Sequence, residues 1–342
     1  MMKKFLLPES GNFYKANLHC HTTLSDGKLT PAEVKEHYQS KGYSIVAYTD
    51  HDLLIPHDEL NDENFLALHG FEMEINEPKE VPFNLIKTCH ICFIGIDPEN
   101  VLQPLWHRKH YQFGNAVNNK HLVKFDENEP DYVRHYGHEG ISDIMQKARE
   151  KGFFVTYNHP AWSKERYPDY IGYKGMHAME MFNGGCIRSG YDDYNFAAYD
   201  DFLCSGNKIY CIGADDNHNH CPLDSRYDDS GWAFTVIKAD SLDYRTITKA
   251  LEDGNFYASE GPEIYDLWVE DNKIHIKTSP VDSICINYQY RDAQRVMNND
   301  FSPVTEAELT YRPDYGYFRI TITDQKGKHA CTNAYFAEEL YS

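Results

Sequence analysis

Two histidines one residue apart, His19 and His21, close a short apolar run and are followed by the turn Ser25-Asp26-Gly27. In an extended strand residues i and i+2 point to the same side. Two imidazoles can therefore stand side by side with the Asp26 carboxylate just beyond them. Ring nitrogens and a carboxylate oxygen at a strand end suit a divalent cation. A His-x-His pair also occurs on solvated strands, so its weight comes from what recurs further along. His51 lies in Thr49-Asp50-His51-Asp52, Glu72 follows Gly70-Phe71, and His90 sits in an apolar run. His159 lies in Asn158-His159-Pro160, and a further apolar run leads into Asp215-Asp216-Asn217-His218. A single ion takes about four to six ligands, so a set this large suits two or three.

The elements that must carry these residues follow from pattern. Thr30-Pro31-Ala32-Glu33 has the form of a capping box with proline at the first helical position. It predicts a helix that ends near Lys41 and stops at Gly42. Apolar runs at 43–48, 65–75, 89–96, 153–157, 176–182 and 208–212 read as strands, most of them ending in an acid, an asparagine or a histidine. Ile141, Ile144, Met145 and Ala148 share one helical face, and residues 194–204 and 242–252 read as further helices. Strands alternating with helices predict a parallel sheet, and in a closed barrel the carboxyl ends of the strands form the active face. Residues 97–140 are polar and irregular, an insertion expected to fold over the site as a lid. Beyond Pro262, short alternating runs without a helical stretch predict a small antiparallel β-sandwich. The expected division is 1–261 for the metal-binding domain and 262–342 for the sandwich.

The totals narrow the function. Of 342 residues, 53 are Asp or Glu against 33 Lys or Arg, for a formal net charge of −20. Such a balance disfavours binding to nucleic acid or an anionic membrane, each of which needs a positive field. The chain has 18 histidines, a count that agrees with metal chemistry. Its nine cysteines are scattered, and the one C-x-x-C, Cys89 and Cys92, falls in a buried-strand pattern that suits small apolar residues better than a redox pair. The N-terminal Met1-Met2-Lys3-Lys4-Phe5-Leu6-Leu7 is basic then apolar, but Pro8 and Glu9 end the run too early for a signal-peptide core. A soluble cytoplasmic protein with reduced thiols is the expectation.

The order H-x-H…S-D-G, T-D-H-D, G-x-E, a lone histidine in an apolar strand, N-H-P and D-x-H resembles the PHP (polymerase and histidinol phosphatase) family over roughly Lys15 to Gly261. The resemblance implies an α/β fold, a distorted seven-stranded TIM-like (β/α) barrel holding two or three divalent ions of Zn, Mn or Fe. Carried over residue by residue, His19, His21, Glu72 and Asp216 would hold the first ion. Glu72 would bridge to a second held by His90 and His159, and Asp26, His51 and His218 would hold the third. Two departures stand out. The family's last motif usually reads G-S-D-x-H, whereas Gly213-Ala214 here precedes two aspartates; the D-x-H spacing favours Asp216 over Asp215. Asp26 stands where some members carry histidine, which implies a weaker third site.

Such an array suits phosphate esters, because bound cations neutralise phosphoryl oxygens and bring the pKa of a bound water towards neutrality. The expected reaction is hydrolysis of a small-molecule phosphate ester by a phosphatase or phosphodiesterase using a metal-activated water. Asp52 or Asp215 could orient that water, and His218 could protonate the leaving oxygen. Arg226 or Arg188, in loops after neighbouring strands, could clamp the phosphate, although both also suit a solvated surface. Two alternatives stay open: an amide or ester hydrolase on the same barrel, and a metal-loaded binding protein without catalysis. The C-terminal module could serve as a homo-oligomer contact.

Overall fold

Strands and helices alternate over most of the chain in the computed structural model, which describes residues 3–340; Met1 and Met2 of the N-terminal stretch, and residues 341–342, lie outside the described residues. In order come β1 (Lys4–Phe5), β2 (Asn12–Asn17), α1 (Pro31–Ser40), β3 (Ile45–Tyr48), β4 (Leu66–Asn76) and β5 (Thr88–Gly95). The 97–140 segment holds only the short α2 (Ala116–Asn119) and a 3-10 turn before α3 (His138–Glu150). Then follow β6 (Phe153–Asn158), α4 (Tyr167–Tyr170), β7 (Ala178–Asn183), α5 (Gly184–Arg188), α6 (Phe196–Cys204) and β8 (Tyr210–Ala214). β9 (Phe234–Ala239), α7 (Tyr244–Glu252) and β10 (Phe256–Ser259) complete this part.

Local chemistry accounts for the boundaries. The Thr30 hydroxyl accepts the Glu33 N–H while the Glu33 carboxylate accepts the Thr30 N–H, and α1 stops before Gly42, which adopts φ +79°. Ile141, Ile144, Met145 and Ala148 form the buried face of α3, which begins at His138, earlier than its apolar period suggests. β3, β5, β6 and β7 are buried at every position, as strands covered on both faces must be.

The large sheet runs β9-β2-β3-β4-β5-β6-β7-β8, and it is mixed rather than parallel. β2, β3 and β4 pair in parallel, as do β6, β7 and β8, but β5 is antiparallel to both β4 and β6. The cause lies in the connection from Asn76 to Thr88, which holds only a 3-10 turn and no crossover helix, so the chain returns as a hairpin. Reversal of β5 places its beginning, not its end, at the rim where its neighbours finish. His90 thus lies opposite Glu74 on one side and Asn158 on the other.

No ladder joins the two ends of this path among the described residues. β8 and β2 meet instead through the residues that follow them: the Asp216 N–H bonds the His19 carbonyl at 3.0 Å, the His21 N–H bonds the Asn217 carbonyl at 3.1 Å, and Cys20 bridges Asn217.

The C-terminal strands are β11 (Ile264–Glu270), β12 (Lys273–Val281), β13 (Ser283–Tyr288), β14 (Ala293–Val296), β15 (Val304–Thr310), β16 (Tyr317–Thr323), β17 (His329–Thr332) and β18 (Tyr335–Phe336), followed by the single turn α8 (Ala337–Leu340). One antiparallel layer, β1-β11-β12-β15, shares an apolar core with the other through residues such as Leu267, Ile276, Ile286 and Ile320. The second layer, β14-β13-β16-β17, continues through β10 into the large sheet. The 97–140 segment is seated on the loops after β2 and β3. Gln103 bonds the Leu54 N–H and the Asp52 carbonyl, while Asn115 and Asn119 bond the carbonyls of Thr23 and Leu24.

Candidate metal centre

The loop after β2 is shaped by Asp50. Its carboxylate accepts the Thr22 N–H and hydroxyl, both at 2.8 Å, and the Ser25 hydroxyl at 2.6 Å. This clamp turns Asp26 back towards His21. Across the sheet, Asp52, His159 and Asp216 adopt φ of 58°, 28° and 51°. Three left-handed non-glycine residues beside clustered histidines are conformations that surrounding structure must hold in place.

Glu72 is the hub. Its Oε1 lies 3.2 Å from His19 Nε2, 2.9 Å from His90 Nδ1 and 3.4 Å from His159 Nε2, and its Oε2 lies 3.3 Å from His21 Nε2 and 3.1 Å from His51 Nδ1. Asp216 Oδ1 approaches the Nε2 atoms of His19 and His21 at 3.2 and 3.1 Å. Asp26 faces His21, His51 and His218 at 3.5–3.7 Å. Four overlapping donor sets result: His19/His21/Glu72, Glu72/His90/His159, His21/Asp26/His51/His218 and His19/His159/Glu180. Of these residues Asp26, His51, Glu72, His90, His159 and His218 line a cleft of about 490 Å3, together with Phe83, Phe113, Trp162, Arg188 and Tyr227.

The electrostatics is that of a site needing positive charge. Burial alone would lower the histidines, yet neighbouring carboxylates raise His19 and His21 and push His90 up to about 10. Burial opposes ionisation of Glu72, but His19, His90 and His51 hold its carboxyl well below the usual range. His51 moves the other way: burial takes it down to about 3. Buried His21 Nδ1, His51 Nδ1, Glu72 Oε2 and His90 Nε2 have no hydrogen-bond partner. Nitrogen and carboxylate lone pairs aimed inward without donors are what divalent cations satisfy, so the donor set fits such ions.

Every expected ligand, His19, His21, Asp26, His51, Glu72, His90, His159, Asp216 and His218, enters these contacts. The residues expected to act on water or phosphate divide. Asp215 faces away: its oxygens accept the N–H groups of Gly231, Trp232 and Ala233 and the Tyr38 hydroxyl, leaving it a brace for the loop before β9. Asp52 is fully buried, paired with Arg134 and absent from the cleft lining, so it does not reach a water there. Arg226 is exposed beside Tyr227 and does not line the cleft, because its loop carries it outward. Arg188 does line it, with its guanidinium 4.1 Å from the centre of the Trp232 ring. Trp162 packs 5.1 Å from both His90 and His159 and walls the cleft. Two residues carried no clear motif. Arg134 comes from near the end of the insertion and reaches Asp52 and the Glu74 carbonyl. Glu180 meets His19, and its one signal is a charge isolated within an apolar strand.

No family model matches the chain. A 5'-3' exoribonuclease of Haemophilus influenzae is 42% identical over 45 residues, a match that spans 13% of this chain and 16% of that relative's length. Among solved structures, a two-domain Bacteroides vulgatus protein containing a predicted PHP-like metal-dependent phosphoesterase is 15% identical over 97% of each chain, with a TM-score of 0.46. An amidohydrolase from Chromobacterium violaceum with bound sulfate is 15% identical over 70% of this chain and 96% of its own, with a TM-score of 0.38.

Proposed function

We propose that this chain is a metal-dependent hydrolase of small-molecule phosphate esters, working with two or three divalent cations held by His19, His21, Asp26, His51, Glu72, His90, His159, Asp216 and His218. The observation that carries this reading is the position of the Glu72 carboxylate, within 3.4 Å of ring nitrogens from five histidines at the wall of an open cleft. Cations bound there supply Lewis acidity, neutralising phosphoryl oxygens and lowering the pKa of water.

The chain's own groups do the rest. Arg188, the one lysine or arginine that lines the cleft among the described residues, orients an anionic oxygen of the substrate from its seat on Trp232. His218, a quarter exposed at the mouth, has Nδ1 3.0 Å from the Asp216 carbonyl oxygen, which turns its Nε2 towards Asp26 and the proposed third ion. Phe113 and Trp162 exclude water from the ester. The meeting of β8 and β2 through Cys20 and Asn217 supports the same reading at the level of fold, a distorted seven-stranded barrel that is closed by loops. Nine free cysteines and no disulfide among the described residues support a reducing compartment such as the cytoplasm, and no described helix is long and apolar enough to cross a membrane.

Protein purified without chelators should carry two to three equivalents of metal and hydrolyse an aryl phosphate, and the double variant H19A/H21A should lose both. Turnover of acyl substrates only, or unchanged phosphatase activity in the double variant, would exclude the proposal.

A further inference from the structure

Glu180 lies in the apolar run of β7 between Met179 and Met181 and is fully buried. A carboxylate in such a place persists only if its oxygens are bonded. Oε1 accepts from His19 Nδ1 at 2.8 Å. Oε2 accepts from two donors, the His159 backbone N–H at 2.9 Å and Asn183 Nδ2 at 2.8 Å. Asn183 in turn accepts the Cys186 N–H and caps α5. One carboxylate therefore touches the ring of one proposed ligand and the strained turn, at φ 28°, that carries another.

Because Oε2 already accepts from two N–H donors and Oε1 lies 2.8 Å from His19 Nδ1, the ring nitrogen is the donor in that contact. The His19 proton is then on the nitrogen behind the cluster, and Nε2, which faces Glu72, His21 and Asp216, keeps its lone pair for a ligand bond. Asn158 reaches the same edge of the ring, and in the amide orientation that satisfies both its ends it donates to Thr156 and accepts the Cys92 N–H. Glu180, His19 and His159 each offer an atom within 4.8 Å of the other two, but the Glu180 oxygens are already taken by the His19 ring, the His159 N–H and Asn183, and Glu180 does not line the cleft.

We propose that Glu180 is a positioning residue of the metal centre, one that fixes the His19 tautomer through Oε1 and anchors the His159 turn through Oε2; the inference rests on the reading of these histidines as cation ligands. It makes an isosteric change harmful. In E180Q the two donors facing Oε2 claim the amide oxygen, which leaves the amide NH2 against His19 Nδ1. That contact moves the ring proton to Nε2 and blocks the ligand lone pair.

The test uses the full chain and zinc alone. E180Q should bind zinc about 10- to 100-fold more weakly than wild type, with the melting temperature of the metal-free protein unchanged. E180D, which keeps two acceptor oxygens, should recover part of that affinity. Zinc affinity in E180Q equal to wild type would overturn the proposal. Zinc-loaded wild type labelled with 15N in histidine gives a second reading even if the variants do not fold. A slowly exchanging proton on His19 Nδ1 supports the assignment, and one on Nε2 refutes it. If wild type binds no cation, the metal-centre reading itself fails, whereas zinc-binding wild type with an unaffected E180Q removes only the role of Glu180.

Discussion

Asp215 and Asp216 are adjacent carboxylates with opposite surroundings. Burial raises Asp215 to about 6 against the pull of three backbone N–H groups, while the histidines hold Asp216 far below the usual carboxylate range despite its burial. D216N should therefore lose metal and keep its metal-free melting temperature. D215N should keep metal but lose about 1–3 kcal/mol of stability in urea unfolding, because an amide NH2 would face backbone donors. Arg134 and Asp52 form a buried pair, and R134L should cost about 3–5 kcal/mol by stranding the Asp52 charge. His177 supplies a pH dependence remote from the centre. Its Nδ1 accepts the Val155 N–H, and burial lowers its pKa to about 4. The unfolded chain, titrating near about 6.5, binds the proton more readily, so this contribution is complete above that value and is lost as pH falls towards 4. Urea midpoints measured from neutral to acid pH should fall less steeply in H177Q than in wild type.

At the scale of elements, the seating of α5 on the loop after β8 depends on two glycines. A Cβ on Gly184 would lie 2.5 Å from Asp215 Oδ1, and one on Gly185 would lie 2.7 and 2.9 Å from the carbonyl oxygens of Asp215 and Asp216. G185A should cost about 1–3 kcal/mol and weaken metal binding by displacing Asp216. T30A, which removes the cap of α1, should cost about 1 kcal/mol and leave metal affinity intact. Isothermal titration beside thermal melts separates the two outcomes.

Across the whole molecule, the C-terminal strands are continuous with the sheet that carries the centre. β17 pairs with β10 through Tyr257–Ser259, and Tyr317 and Cys331 join the same core as Phe182 and Tyr199. β1, from the other end of the chain, pairs with β11. A chain cut after Gly261 would expose the edge of β10 and that core, and it should neither fold nor bind metal. The intact protein should unfold in one calorimetric transition. Two separate transitions would mean that the 262–342 strands form an independent unit.

Much of the centre was legible because its determinants are local. His19 and His21 share a side through the two-residue period of a strand, Thr30 and Glu33 cap a helix three residues apart, and the α3 face follows from the 3.6-residue period. The place of His90 was legible only in part, because the reversal of β5 depends on a hairpin and not on the strand's own residues. What no local pattern contains is which distant groups saturate a given side chain. Asp215 and Asp216 have the same chemistry and adjacent positions, and only the loop before β9 makes one a brace and leaves the other facing imidazoles. Arg134 and Glu180 likewise owe their roles to partners 82 and 161 residues away. The sequence by itself determined which nitrogen and oxygen donors stand at the strand ends; tertiary packing decided which lone pairs remain free, because hydrogen bonding to distant groups uses up the others.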